Sequence, residues 1–189
     1  MIEHDHPYEF LKALREKPQA IFHLSKYVSK ADSLLDERQN LSVSASDFSS
    51  DWVNREVSSL RPDQELAIHS TITIDGRTWH IPMIDFAVDG AISAEVLDRL
   101  RLFLPRAVVL NLAVFASGRS FHAYSTALLS PKEWVSFMGR LLLVNPRGRR
   151  ELIDSRWIGH RLIGGFCSLR WSNNSGMYLG APSRVRLPA

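Results

Sequence analysis

Cys167 is the only cysteine in the chain, which excludes an internal disulfide and any cysteine-rich zinc site. Its setting, Gly165-Phe166-Cys167-Ser168-Leu169, is apolar and suits an inert buried thiol. No uninterrupted apolar stretch approaches membrane-spanning length, so no membrane partner is expected. Repeats and low-complexity segments are absent, as are a Walker loop, a dinucleotide fingerprint and a hydrolase nucleophile elbow. Acidic residues are scarce in the last third: residues 116–189 hold 11 Lys+Arg against 3 Asp+Glu, net +8, whereas residues 1–115 hold 12 against 17, net −5. The overall charge of +3 hides that asymmetry.

What is present fits one globular domain. A chain of 189 residues, 45% hydrophobic and 23% charged, is long enough for one good core. The start, Met1-Ile2-Glu3-His4-Asp5-His6, is acidic where a signal peptide is cationic and then apolar, so export is not expected and the cytoplasm is the natural compartment. The basic third is almost entirely arginine, whose planar, permanently charged fork suits phosphate and stacks on bases. A region of one sign also concentrates polyanions around it, so a nucleotide or nucleic-acid partner is favoured. The cluster Arg147 to Arg150, taken alone, reads equally well as a solvated loop.

Along the chain, Pro7 to Glu16 predicts a short amphipathic helix, and Ile21 to Val28 reads as strand or helix. Ser42 to Ser46 is a polar spacer suited to a loop. The spacing of Phe48, Trp52, Val53, Val57 and Leu60 predicts a helix ending at Arg61-Pro62. Residues 66–74 and 78–86 are β-rich runs around Asp75-Gly76, a type I′ signal, and predict a long hairpin that bulges or lies at an edge at Pro82. A helix over 94–104 capped by Ser93, strands over 107–115 and 120–127, and a helix from Ser130-Pro131 to Asn145 follow. Two β-like runs, 161–171 and 177–185, close the chain. The expected fold is α+β with a mainly antiparallel sheet covered by helices. Residues 1–65 are expected as an N-terminal helical segment packed on a core of residues 66–189, one globular domain overall.

Ser117-Gly118-Arg119-Ser120-Phe121-His122 places hydroxyls, a guanidinium and an imidazole on a short segment directly after an apolar run. A glycine turn there lets backbone N–H groups approach an anion closely. An ordinary surface hairpin with a packed histidine fits the same letters. Two carboxylates flank this segment in sequence: Asp85, ending Pro82-Met83-Ile84-Asp85-Phe86, and Asp154, ending Leu152-Ile153-Asp154.

The order acid, Ser-x-x-x-x-His, acid resembles the archaeo-eukaryotic primase and primase-polymerase superfamily over residues 66–185. The tail, with Arg156, Gly159, His160 and Arg161 followed by Gly165, Ser168, Arg170 and Ser172-Asn173-Asn174-Ser175-Gly176, resembles the basic and small-residue stretch of that superfamily. The resemblance implies an RRM-like palm and the chemistry of nucleotidyl transfer, in which acidic groups hold Mg²⁺ or Mn²⁺ and basic groups clamp a triphosphate. It casts Asp85, Asp154 and His122 as catalytic. Ser117, Arg119, His122, Arg161 and Arg170 would be nucleotide-binding, and Asp85, Asp89 and Asp154 metal ligands. Active members carry two acids one residue apart, on one face of a strand. The second position here is Ala87, and in an extended strand Asp89 lies about 13 Å from Asp85 at roughly 3.3 Å per residue.

Two functions are therefore expected: a primase-polymerase-like nucleotide- and nucleic-acid-binding protein acting as a metal-dependent nucleotidyltransferase with a reduced acidic site, or a catalytically inactive primase-like binding or interaction subunit of a multi-protein complex. Either uses nucleoside triphosphate or single-stranded nucleic acid. With no helicase or zinc-binding module in the sequence, a partner protein is expected too. A protein-interaction subunit without nucleotide would use the five tryptophans as core or interface anchors, although Trp157 and Trp171, beside arginines, are also placed to stack on bases. His4 with His6 reads as a mobile terminal pair, His69 and His80 as structural hairpin histidines, and His160 as a strand-end cap or a helper of His122.

Overall fold

Strand formation divides the chain into two sheets, and one proline decides where. The computed structural model describes residues 2–30 and 37–187. In the first sheet, β1 (Ile21–Val28) pairs antiparallel with β2 (Glu37–Ser44) from Ile21↔Ser44 to Val28↔Glu37, and on its other side with β3 (Glu65–Ile74). β3 turns at Asp75 and Gly76, both at positive φ (48° and 72°) as a type I′ turn requires, into β4 (Arg77–His80). The alternating Leu66, Ile68 and Ile72 of β3 are fully buried, as period-two patterning demands.

The long hairpin expected over 78–86 stops at His80. Pro82 has no N–H to give the ladder, and its carbonyl instead accepts from Ser125 N (3.0 Å), which carries the chain into the second sheet. There β5 (Met83–Asp85) pairs with β7 (Phe121–Ser125), β7 with β6 (Leu112–Ala116), and β6 with β9 (Ser183–Arg184), all antiparallel. β8 (Ser168–Arg170) returns to the first sheet beside the N-terminal half of β3 and contacts β5, so the sheets meet where Asp85 and Arg170 lie.

Among the described residues six α-helices cover the strands: α1 (Pro7–Leu11), α2 (Ser50–Ser58), α3 (Ala94–Phe103), α4 (Arg106–Leu110), α5 (Pro131–Val144) and α6 (Ser155–Gly164). A 3₁₀ turn, Lys12–Glu16, extends α1. Ser49, Ser93 and Ser130 cap α2, α3 and α5, the last with Glu133 in a full capping box. Phe48 ties both ends of the chain together, stacking on Phe22 (ring centroids 4.2 Å apart) and on Trp171 (6.0 Å).

Four expectations are corrected. The polar spacer at 42–46 begins in β2, because Ser42, Val43 and Ser44 pair with His23, Phe22 and Ile21; the neighbouring stretch 31–36 lies outside the described residues. The N-terminal segment is consequently not helical alone, since it supplies β1 and β2. Residues 106–110 form a helical turn that Pro105 opens by accepting from Val108 and Val109 N, so β6 is only as long as its partner β7. The run 161–171 is helix as far as Gly164, ended by Gly165 at φ 76°, and of 177–185 only Ser183–Arg184 is strand. Among the described residues no helix is long and apolar enough to cross a membrane.

Candidate functional site

The turn between β6 and β7 is fixed before any ligand arrives. Ser117 N bonds Ser120 O (2.9 Å), and Gly118 takes φ 119°, a region L side chains rarely adopt. Ser120 Oγ donates to Phe86 O (2.5 Å), and Arg170 from β8 donates to Ser117 O (2.5 Å). The turn is strapped to both sheets at once. Arg119 stands exposed at its tip.

Below this turn lies a cavity of about 520 Å³, the size of an ordinary ligand site. Among the described residues its cationic lining is Lys30, Arg38, Arg119, Arg156, Arg161 and Arg170, against the one carboxylate of Asp85. Such a one-sided set focuses a positive potential into a walled cleft. Arg170 is buried at 4% exposure, held by the Ser117 and Ser172 carbonyls and by the Tyr178 ring 3.9 Å away. Carbonyls and a ring satisfy hydrogen bonds without cancelling its charge, which leaves that charge for the cavity. Arg161 donates to Ser168 Oγ (2.8 Å).

Strand register places Asp85 directly across from His122. Nε2 and Oδ1 are 3.7 Å apart, too far for a hydrogen bond. Burial, and then the charge of Arg170, lowers the His122 pKa to about 3, so the imidazole is neutral at physiological pH. Burial, and then the neighbouring Asp154 charge, raises Asp85 to about 7, against the pull of Arg161 and Arg170. A quarter of its side chain still meets solvent. Thus near neutrality the pair is a neutral histidine beside a carboxyl group close to half-protonated. His122 Nδ1 and Arg170 Nε are buried with no hydrogen-bond partner among the described residues.

Of the residues expected from sequence, Asp85, Ser117, Arg119, His122, Arg161 and Arg170 line this one cavity. Asp154 and Asp89 do not. Asp154 caps α6, its Oδ1 accepting from Trp157 N (2.8 Å), while its own backbone N bonds Asp85 O (3.0 Å). Asp89 is exposed and paired with Arg150 (2.7 Å). Among the described residues no group of three or more His, Cys, Asp and Glu side chains could hold a metal.

Trp171, at 1% exposure, is a core residue outside the cavity lining, whereas Trp157, 8% exposed, is buried in the core and reaches the cavity wall. His6 is likewise buried and caps α1 with its ring, so it is not a mobile terminal group. His80 pairs with Thr71 and His69 with Ser168, so the two do not face each other. Residues that the sequence reading missed also line the cavity: Tyr27 of β1, Arg38 of β2, Lys30 just after β1, and Tyr178 from the loop before β9. Lys30 and Arg38 lie more than 75 residues before the Ser117 turn, and no local signal connects them to it. His160, on α6, also lines the cavity.

The family model described as AEP-like, archaeo-eukaryotic primase 1D-like, matches residues 44–183. No curated protein and no solved structure matches the chain.

Proposed function

Because the chain belongs to the archaeo-eukaryotic primase 1D-like family, we propose that the cavity between its sheets binds the phosphates of a nucleotide or of nucleic acid. The observation that carries this reading is that, among the described residues, six basic side chains and one carboxylate line one cavity beside a turn already fixed by Ser120 and Arg170. Arg119 and Arg156, both exposed at the cavity mouth, receive the outer phosphates. The buried Arg170 supplies charge at the floor and holds the Ser117 turn in place.

A second reading, nucleotidyl transfer, is favoured by Asp85 standing beside His122 inside the same cavity. Mg²⁺ and Mn²⁺ settle for one or two protein carboxylates plus phosphate oxygens, and Asp85 with a bound triphosphate fits that set for a single ion. Such an ion would neutralise charge on the phosphates and on a departing pyrophosphate. Asp89, on the surface with Arg150, adds nothing to it. Asp85 would hold the ion in its ionised form, and neutral His122 would donate a hydrogen bond to a phosphate oxygen without adding charge.

Two assays separate the readings. Titration with a fluorescent nucleoside triphosphate in chelator is expected to saturate, with Arg119→Ala and Arg156→Ala each weakening binding about tenfold, near 1.4 kcal/mol. Absence of saturable binding overturns the phosphate reading. Primer extension with Mn²⁺ that disappears in Asp85→Asn supports transfer; binding without any incorporation leaves a binding protein.

A further inference from the structure

An unpaired sheet edge is a template for another strand, so folded chains usually close their edges. Among the described residues most are closed here. The outer side of β4 exchanges bonds with Leu129 at His80 (2.8 and 2.9 Å). Beside β5, Asp154 N bonds Asp85 O (3.0 Å) and Ala87 N bonds Leu152 O (2.9 Å). β9 is only two residues long. The strand that ends the first sheet, β2, differs: it runs for eight residues without proline and without a break in its register with β1.

The phase of the ladder decides which groups β2 presents outward. Ala45 N bonds Ala20 O (2.8 Å), so the alternate pairs Phe22–Val43, Leu24–Leu41, Lys26–Gln39 and Val28–Glu37 exchange the bonds between β1 and β2. Trp171 N on Leu66 O (2.7 Å) gives the same phase from the other side, because it turns Leu66 toward β8 and leaves Glu65 and Ala67 to bond Tyr27 and Ser25 of β1. Asn40 and Ser42 therefore direct their N–H and C=O away from the sheet. Among the described residues no backbone group meets them. The guanidinium of Arg38 is drawn inward, donating to Ser25 Oγ (2.9 Å) and lying over the Tyr27 ring.

We infer that β2 is a dimerisation edge, on which a second copy of this chain lays its own β2 antiparallel about a twofold axis at Leu41. That register sets Asn40 opposite the second copy's Ser42, and Ser42 opposite its Asn40, so both exchange N–H···O=C bonds from groups each copy already presents. Leu41, half-buried in the single chain, meets its own counterpart at a non-hydrogen-bonded pair, where side chains approach most closely. Glu37 falls opposite Ala45 and Arg38 opposite Ser44, so no like charges face each other. Outward groups placed evenly on either side of one apolar residue are self-complementary, which a twofold axis requires and a foreign strand does not. Residues of equal parity pair, so Tyr27 and Arg38 of both copies share one face and the two cavities lie on the same side of the joined sheet.

Sedimentation velocity on the intact protein without ligand reads the mass and is independent of the phosphate reading. A concentration-dependent shift from monomer to dimer is expected. Ser42→Pro removes a donor that β1 does not use, so circular dichroism is expected to be unchanged. Symmetry removes that donor at both joints, and dimerisation is expected to weaken about tenfold or more. Because Cys167 is buried, an added surface cysteine is the one that reacts: Leu41→Cys is expected to lock a covalent dimer on mild oxidation, and Gln39→Cys, whose counterpart is Val43, is not. A chain that stays monomeric at every concentration overturns the inference and leaves the edge to an extended segment of another protein. A dimer indifferent to Ser42→Pro, or locked by Gln39→Cys and not by Leu41→Cys, overturns it as well.

Discussion

Asp85 shows what one residue costs and what it can do. Its folded pKa, raised to about 7 from 3.8, favours the protonated acid, so its stabilising contribution is complete below about pH 4 and is lost as pH rises through 7. Asp85→Asn, neutral throughout, is therefore predicted to raise the urea midpoint at pH 8, the gain shrinking toward pH 5; a variant less stable than the parent at pH 8 would contradict the assignment. A group that weakens the fold when ionised is one whose charge has another use. Ser117, Arg119 and His122 were legible in sequence because a glycine turn between two strands puts them on adjoining backbone. Tyr27 and Arg38 were not, because only the pairing of β1 with β2 and β3 brings them to the cavity.

Helix α6 carries the lesson at the level of elements. The resemblance cast Asp154 as a metal ligand and the run 161–171 read as β-like, yet Asp154-Ser155 at the start and Gly164-Gly165 at the end are ordinary helix punctuation, overridden in the sequence reading by the apolar, β-like letters around Phe166. The cap and the charge of Asp154 are separable. Asp154→Ala is predicted to cost about 1 kcal/mol for the lost cap, while Asp154→Ser retains most of it. Both remove the neighbouring charge and should lower the Asp85 pKa, readable from its carboxyl carbon shift across pH; an unmoved titration would show that burial alone sets it. Pro82 was legible as an interruption but not as a switch between sheets, because sequence shows the missing donor and not the Ser125 N that takes its carbonyl.

For the whole molecule, the family match begins at residue 44, but the fold does not. β1 covers one side of β3, and Phe22, Leu24 and Tyr8 are buried in the common core. A chain starting at residue 44 is predicted to lose cooperative unfolding by calorimetry, since it strips one whole edge of β3 of its partner β1, leaving only β4 and β8 on the other; a sharp transition would show the N-terminal strands to be accessory. Burial also holds His69, His80 and His122 neutral, with pKa values lowered to about 3, 4 and 3. Their contribution is present above about pH 6.5 and lost as pH falls below it, opposite in sign to Asp85 and three groups against one. The melting temperature is thus predicted to fall between pH 7 and pH 5.

The α+β class, the antiparallel pairing and most helix caps could be read from the sequence because each rests on local chemistry. The convergence of distant arginines is the property that only the folded chain displays, and it is the center of this account. Its most direct test is the affinity for a short single-stranded oligonucleotide measured from 50 to 300 mM salt. The account predicts that the logarithm of the binding constant falls linearly with the logarithm of salt concentration, with a slope reduced by about one in Arg119→Ala and again in Arg156→Ala. An affinity indifferent to salt, or unchanged in both variants, would contradict it.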